Sequence, residues 1–99
     1  MRSMLGRLKR RLNLRKPDQD DLLYDLLDDA AAFVLGYTGR KELPEGLRGV
    51  VVEIAAMDYN RLGLEGATSH TEGGVSDTID LLPARMRMQL NTYRLGKVL

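Results

Sequence analysis

The stretch DLLYDLLDDAAAFVLG, residues 21–36, decides the fold because its apolar side chains recur at the spacing of one helix face. The apolar stripe consists of Leu22, Leu23, Leu26, Leu27, Ala30, Ala31 and Val34. The opposite side carries Asp21, Asp25, Asp28 and Asp29. The early acids complement the positive N-terminal end of a helix. We therefore predict an amphipathic helix that follows Pro17, has Asp18 as its N-cap, and terminates at Gly36 and Gly39.

Two more helices flank this one along the chain. From Met4 to Leu12, apolar residues recur three and four positions apart, which predicts a short basic amphipathic helix with Gly6 as a weak point. A third helix should begin near Pro44 and continue to Gly63. Its apolar face is wide, so two neighbouring elements are expected to pack against it.

Residues 64–80 show an alternating pattern instead, rich in Ser, Thr and Gly. Gly73 and Gly74 could form the tight turn of a β-hairpin, although a two-stranded ribbon is poorly stable without a surface to lie on. A neighbouring subunit could supply that surface. Pro83 then opens the last helix, which ends around Gly96. The apolar stripe of that helix is Leu82, Met86, Leu90 and Tyr93.

These patterns predict an all-α protein with a single small domain. The architecture is a bundle of three core helices plus a short N-terminal basic helix, with a long loop or a β-hairpin before the last helix. We divide the chain into a basic N-terminal arm, residues 1–17, and a helical domain, residues 18–99.

The charge of the chain is divided sharply, although its net value is only +1. Residues 1–16 hold seven basic side chains and no acid, whereas residues 17–33 hold six acids and no base. There is no cysteine, which excludes a disulfide framework and a thiolate metal site. No apolar run approaches the ~20 residues of a membrane span. We expect a soluble protein made in a reducing cytoplasm.

The sequence offers no convincing catalytic or cofactor site. The acidic stretch lacks the central Gly and closing Glu of a calcium-binding loop. His70 is the only histidine, and Ser69 is its neighbour in sequence. A catalytic triad needs a base that the fold orients toward the nucleophile, which adjacency along a loop does not provide. The glycines around it do not form a phosphate-binding loop. We predict no catalytic residues, no metal site and no cofactor.

Among the charged segments, the basic N-terminal one is our candidate for a binding role. Its candidate residues are Arg7, Arg10, Arg11 and Arg15. It could contact DNA phosphates, or dock on the acidic helix of the same or another copy. It could also be a solvated arm with no specific partner. Binding to an anionic membrane is the weaker reading.

The order of short motifs from residue 37 onward resembles the head–tail connector (adaptor) proteins of tailed bacteriophages, also labelled DNA-packaging proteins. The motifs are YTGR at 37–40, LPEGL at 43–47, NRLGLEG at 60–66, SHTEGGVS at 69–76 and LNTYR at 90–94. Their order and spacing carry the resemblance, over residues 18–97. The first 16 residues are not expected to belong to the shared pattern.

The resemblance implies a structural virion protein of the phage neck, made in the host cytoplasm. Such proteins form a ring, dodecameric in the virion, below the portal; the ring extends the DNA channel and docks the next neck or tail protein. The implied partners are therefore further copies, the portal protein, a downstream neck or tail protein and, transiently and non-specifically, the passing DNA. No membrane partner is implied.

The resemblance also assigns roles to particular residues. Subunit contact and channel lining would fall to Ser69, His70, Thr71, Glu72, Gly73, Gly74, Val75, Ser76 and Asp77. Portal contact would fall to Arg94, Lys97, Val98 and Leu99. Because residues 69–80 carry three acids and no lysine or arginine, we expect them to repel the DNA backbone and let it slide.

Two other classes of function remain open. A small DNA-binding regulator could use the basic arm, although the connection at residues 36–43 is longer than a helix-turn-helix allows. A small hydrolase would need His70 and Ser69, and is the weakest alternative.

Overall fold

The computed structural model describes residues 3–65 and 75–95, with side chains described for 3–62 and 78–95. Within those ranges the chain forms five α-helices and no strand, so the predicted all-α class is confirmed. The helices are α1 (Met4–Leu12), α2 (Asp20–Thr38), α3 (Arg48–Glu65), α4 (Val75–Leu81) and α5 (Ala84–Thr92). Two 3₁₀ turns, Pro17–Gln19 and Glu45–Leu47, lead into α2 and α3.

The centre of the fold is the pair α2 and α3, with α1 lying against both. The buried face of α2 follows the predicted period: Leu23, Leu27, Ala30, Val34 and Thr38. α3 is buried on two sides, as its wide apolar face predicts, because α1 and α2 cover different parts of it. Its buried residues are Val50, Val51, Val52, Ile54, Ala55 and Ala56. Leu22 departs from the predicted stripe and is 37% exposed.

The N-terminal helix is capped at both ends and packs into this core. The Ser3 hydroxyl accepts a 3.0 Å hydrogen bond from the backbone amide of Gly6. Asn13 ends the helix in the left-handed conformation, at φ 61°. Leu8 is fully buried between the other helices. The segment predicted as an arm therefore contributes a core residue.

The entry to α2 differs from the prediction. Asp18 is not the N-cap: it lies in the 3₁₀ turn that Pro17 opens, and α2 begins at Asp20. Proline fixes the backbone of this turn, which postpones the α-helix by one turn. At the other end, Gly36 lies inside α2, and Gly39 alone supplies the left-handed cap, at φ 76°.

The region before the last helix holds a second correction. Val75–Leu81 is the helix α4, where we predicted a loop or the second arm of a hairpin, so the bundle has one more helix than expected. The apolar residues Val75, Ile79 and Leu82 are four and three positions apart, which is the spacing of one helix face and not of a strand, where same-face residues are an even number apart. The proposed hairpin turn at Gly73 lies outside the described residues.

Two helix ends also differ from the predictions. α3 continues to Glu65, beyond the predicted end at Gly63. α5 follows Pro83 as predicted but stops at Thr92, before the expected end near Gly96. Leu82 and Leu90 are buried and Met86 and Tyr93 pack against the core, so the predicted stripe of this helix is correct.

Candidate partner-binding surfaces

Two of the four cations of α1, Lys9 and Arg11, form ion pairs with acids of the same chain. Lys9 Nζ lies 2.7 Å from Asp20 Oδ1, at the first residue of α2. On the other side of the helix, Arg11 Nη2 lies 2.6 Å from Glu53 Oε1 on α3. These two ion pairs fix α1 to both central helices. The basic segment therefore docks within its own chain, on acids other than those of the exposed α2 face.

Two cations just after α1 remain exposed: Arg15 and Lys16. They line an open cleft of about 370 Å³. The rest of its wall consists of Asn13, Leu14, Asp18, Gln19 and Tyr59. The Tyr59 hydroxyl donates a hydrogen bond to Gln19 Oε1, which ties the cleft to α3. Because Asp18 shares the cleft with the two cations, its charge is mixed.

The outer face of α2 is acidic and exposed. Asp21, Asp25 and Asp28 stand opposite the buried face, and no cation of the described residues lies within ion-pair distance of them. Tyr24 is 53% exposed beside them. An exposed aromatic ring among carboxylates is suited to contact with a second surface that is both apolar and basic.

The C-terminal end of α2 holds the segment that follows α5. The Tyr37 hydroxyl donates a 2.7 Å hydrogen bond to Asn91 Oδ1. The Arg94 guanidinium stacks 4.6 Å from the centre of the Tyr37 ring. Arg40 Nε donates a 2.8 Å hydrogen bond to the carbonyl of Tyr93, and its guanidinium lies over that ring.

Arg94 also borders an open pocket of about 390 Å³ on the α2 surface. The other wall residues are Ala32, Phe33, Gly36 and Tyr37. Phe33 and Tyr37 are stacked, with ring centres 6.4 Å apart. Sequence reasoning missed this junction, although its parts lie within the YTGR and LNTYR motifs.

A third exposed face is formed by the end of α4 and the outer side of α5. Leu81 is 57% exposed and Met88 67% exposed, and Arg85 between them is exposed as well. Residues 81–95 contain three arginines and no acid. Two of them, Arg87 and Arg94, already contact their own chain, through the Leu82 carbonyl and the Tyr37 ring.

The structure describes only some of the residues to which the resemblance assigned roles. Val75, Ser76 and Asp77 form the first turn of α4. Arg94 lies at the α2 junction. The others fall outside the described residues: Ser69, His70, Thr71, Glu72, Gly73, Gly74, Lys97, Val98 and Leu99. Among the basic residues, Arg7 lies against Gly49 of α3 and Arg10 is exposed on α1.

One acid at the α2–α3 contact, Asp58, has a raised pKa. Burial raises the pKa of Asp58 above its usual range, Arg61 opposes this, and Asp29 adds to it. In the described parts of the chain, no group of three His, Cys, Asp or Glu side chains could hold a metal ion. No helix there is long and apolar enough to cross a bilayer.

Comparison with known proteins gives one family. A search of curated proteins and a search of solved structures each returned no match. The family model of the phage gp6-like head-tail connector protein matches residues 2–94. This range includes the basic N-terminal helix, which we expected to lie outside the shared pattern. Since the match covers nearly the whole sequence, including every described helix, the chain belongs to the phage gp6-like head-tail connector family.

Proposed function

We propose that the protein is a non-catalytic ring component of the phage neck, which sits below the portal, extends the DNA channel and docks the next neck or tail protein. The family match over residues 2–94 carries this proposal, since connector proteins associate with other head and tail proteins of the virion. The exposed and unpaired charges of the outer faces fit a protein that completes its contacts with partners.

Residues 69–80, which begin before α4 and continue into it, are our candidate for subunit contact and channel lining. They carry Glu72, Asp77 and Asp80 and no lysine or arginine. A negative lining would repel the DNA backbone and so reduce the drag of ionic contacts. DNA contact in the channel would be transient and independent of sequence.

The segment after α5 is our candidate for portal contact. Its start is fixed at the end of α2, where the Leu95 amide donates a 2.7 Å hydrogen bond to the Thr38 carbonyl. Arg94 is exposed at this point, and Lys97, Val98 and Leu99 follow. A basic and apolar segment that follows this hydrogen-bonded junction is suited to bind a neighbouring protein.

A small DNA-binding regulator is the alternative, and less supports it. Lys9 and Arg11 are engaged by Asp20 and Glu53, so fewer cations of α1 face outward than the sequence suggests. Arg10, Arg15 and Lys16 remain available for phosphates. Salt-sensitive binding of duplex DNA by the free protein, lost on replacing these three with alanine, would favour the regulator.

The test of the connector proposal is to mix the protein with the portal protein encoded by the same phage genome. Native mass measurement and electron microscopy should detect a ring of this chain on the portal. Removing residues 96–99 should weaken portal binding more than self-association, because the truncation leaves the Leu95 junction in place. Failure to bind the portal, with no ring at the vertex of intact particles, would refute the proposal.

A further inference from the structure

Two exposed faces of the protein are complementary in both charge and apolar character. The acidic face comprises Asp21, Tyr24, Asp25 and Asp28 of α2, flanked by Leu22. The basic face comprises Leu81, Arg85 and Met88 of α4 and α5. We propose that the acidic face of one copy docks on the basic face of the next, and that this is a contact of the ring.

The charges of the two faces favour mutual contact. Residues 18–29 hold six aspartates and no base, whereas residues 81–95 hold three arginines and no acid. Arg85 has no carboxylate partner in the described chain, and neither Asp25 nor Asp28 has a cation. Opposed potentials of this kind select partner and orientation.

Exposed apolar side chains give the contact a source of affinity. Of the six large hydrophobic residues that are exposed in the described chain, three lie on these two faces. They are Tyr24, Leu81 and Met88. Burying them against one another would remove apolar surface from water, which is the dominant favourable term in protein association.

The cations at the N-terminal end are a poorer partner for the acidic face. No large hydrophobic side chain of residues 3–16 is exposed, so Arg10, Arg15 and Lys16 offer charge without apolar area. They also lie near the start of α2, where Lys9 contacts Asp20. A basic patch beside the acidic face does not supply the separate face that a repeating contact requires.

No ion pair joins the two proposed faces within the described residues of one copy. α5 meets α2 near Tyr37, through Asn91. Asp25 lies twelve residues before Tyr37, about 18 Å along the helix at 1.5 Å per residue. One copy can therefore present both faces at once, and such a head-to-tail contact closes into a ring when the rotation between copies permits.

Cross-linking tests this contact directly, because the chain has no cysteine of its own. Leu22→Cys and Ala84→Cys place one thiol at the edge of each face and leave the proposed charged residues unchanged. A mixture of the two single variants, treated with a short bis-maleimide, should give a covalent dimer, and the double variant a ladder of multimers. In the control, Lys41→Cys takes the place of Leu22→Cys, because Lys41 is exposed after α2 and outside both faces. The control should give no covalent dimer and no ladder.

The reaction is run on the free chain at high concentration and on the chain assembled with its portal protein. A ladder in either sample supports the contact, and no ladder in both samples overturns it. Cross-linking of the Leu22→Cys variant to itself would indicate a symmetric α2 contact and would also overturn it.

Charge exchange supplies a second readout. Asp25→Lys and Arg85→Asp should each weaken association roughly tenfold, and the double variant should recover most of the loss. Circular dichroism checks that all three variants retain their helices. Loss without recovery would contradict a direct pairing of the faces.

This inference rests on the proposed function, and the two can fail separately. If the protein binds its portal as a ring but neither the ladder nor the charge recovery is seen, the connector proposal stands and this contact is wrong. If no ring and no portal binding are found, the connector proposal fails whatever the cross-links show.

Discussion

The backbone amide of Leu95 donates a 2.7 Å hydrogen bond to the carbonyl oxygen of Thr38. Thr38 ends α2 and is fully buried, and its own hydroxyl donates to the Val34 carbonyl at 2.8 Å. The segment after α5 is thus joined to the end of the central helix.

Arg40→Ala should weaken that junction. The Arg40 side chain donates to the Tyr93 carbonyl at 2.8 Å and stacks over the Tyr93 ring, and both contacts would be lost. We expect a loss of about 1–2 kcal/mol in the free energy of unfolding, measured by urea denaturation. Lys41→Ala, at the exposed neighbouring position, should change it by less than about 0.5 kcal/mol. Equal effects of the two variants would show that the Arg40 contacts do not stabilise the fold.

Gly46→Ala should destabilise the fold by a steric mechanism. A β-carbon at Gly46 would overlap the Tyr93 hydroxyl and lie 3.0 Å from the ring carbon Cζ. We expect a cost of about 1–3 kcal/mol. Adding Tyr93→Phe removes the overlapping oxygen and should recover part of it. Thermal unfolding of the two single variants and the double variant measures the coupling.

Gly36→Ala is the matched control for that experiment. Gly36 lies inside α2, and a β-carbon there would meet nothing within 4 Å. Alanine is favoured over glycine in a helix, so this variant should gain about 0.5–1 kcal/mol. Destabilisation by both glycine substitutions would contradict a specific clash with Tyr93.

The parts of the fold that the sequence predicts are those governed by local spacing. Leu23, Leu27 and Val34 are buried in the predicted stripe of α2 because three- and four-residue spacing maps directly onto one helix face. The same rule failed before the last helix. Val75 and Ile79, four positions apart, were compatible with both a helix and a strand, so their spacing alone did not decide between them, and the structure has a helix there.

The surfaces were harder to predict because they depend on contacts between distant parts of the chain. The charge division was visible in the sequence, but the choice of Asp20 and Glu53 as partners of Lys9 and Arg11 was not. The hydrogen bond between Tyr37 and Asn91 likewise joins residues 54 positions apart. Spacing rules describe one element at a time and do not specify such pairings.

Leu8→Ala tests whether the N-terminal helix is part of the core or a separate arm. Leu8 is fully buried, so the substitution should leave a cavity and cost about 2–5 kcal/mol in urea unfolding. Arg10→Ala, on the exposed side of the same helix, should cost less than about 0.5 kcal/mol. If both variants unfold like the parent protein, residues 1–17 behave as an independent arm.

Asp58→Asn should change how stability depends on pH. The folded protein raises the pKa of Asp58, chiefly by burial, so the folded state binds this proton more tightly than the unfolded chain does. The associated stability is present below the ordinary pKa of an aspartate and is lost as pH rises through the higher folded value. Asparagine has no charge to desolvate, so the variant should be more stable than the parent at pH 7, and the advantage should shrink toward acidic pH. Asp25→Asn, on the exposed face, serves as the control. Urea unfolding of the three proteins between pH 3 and about pH 7 measures these differences. If the stability of the parent protein rises relative to that of the Asp58→Asn variant as pH increases, the pKa of Asp58 is not raised by folding.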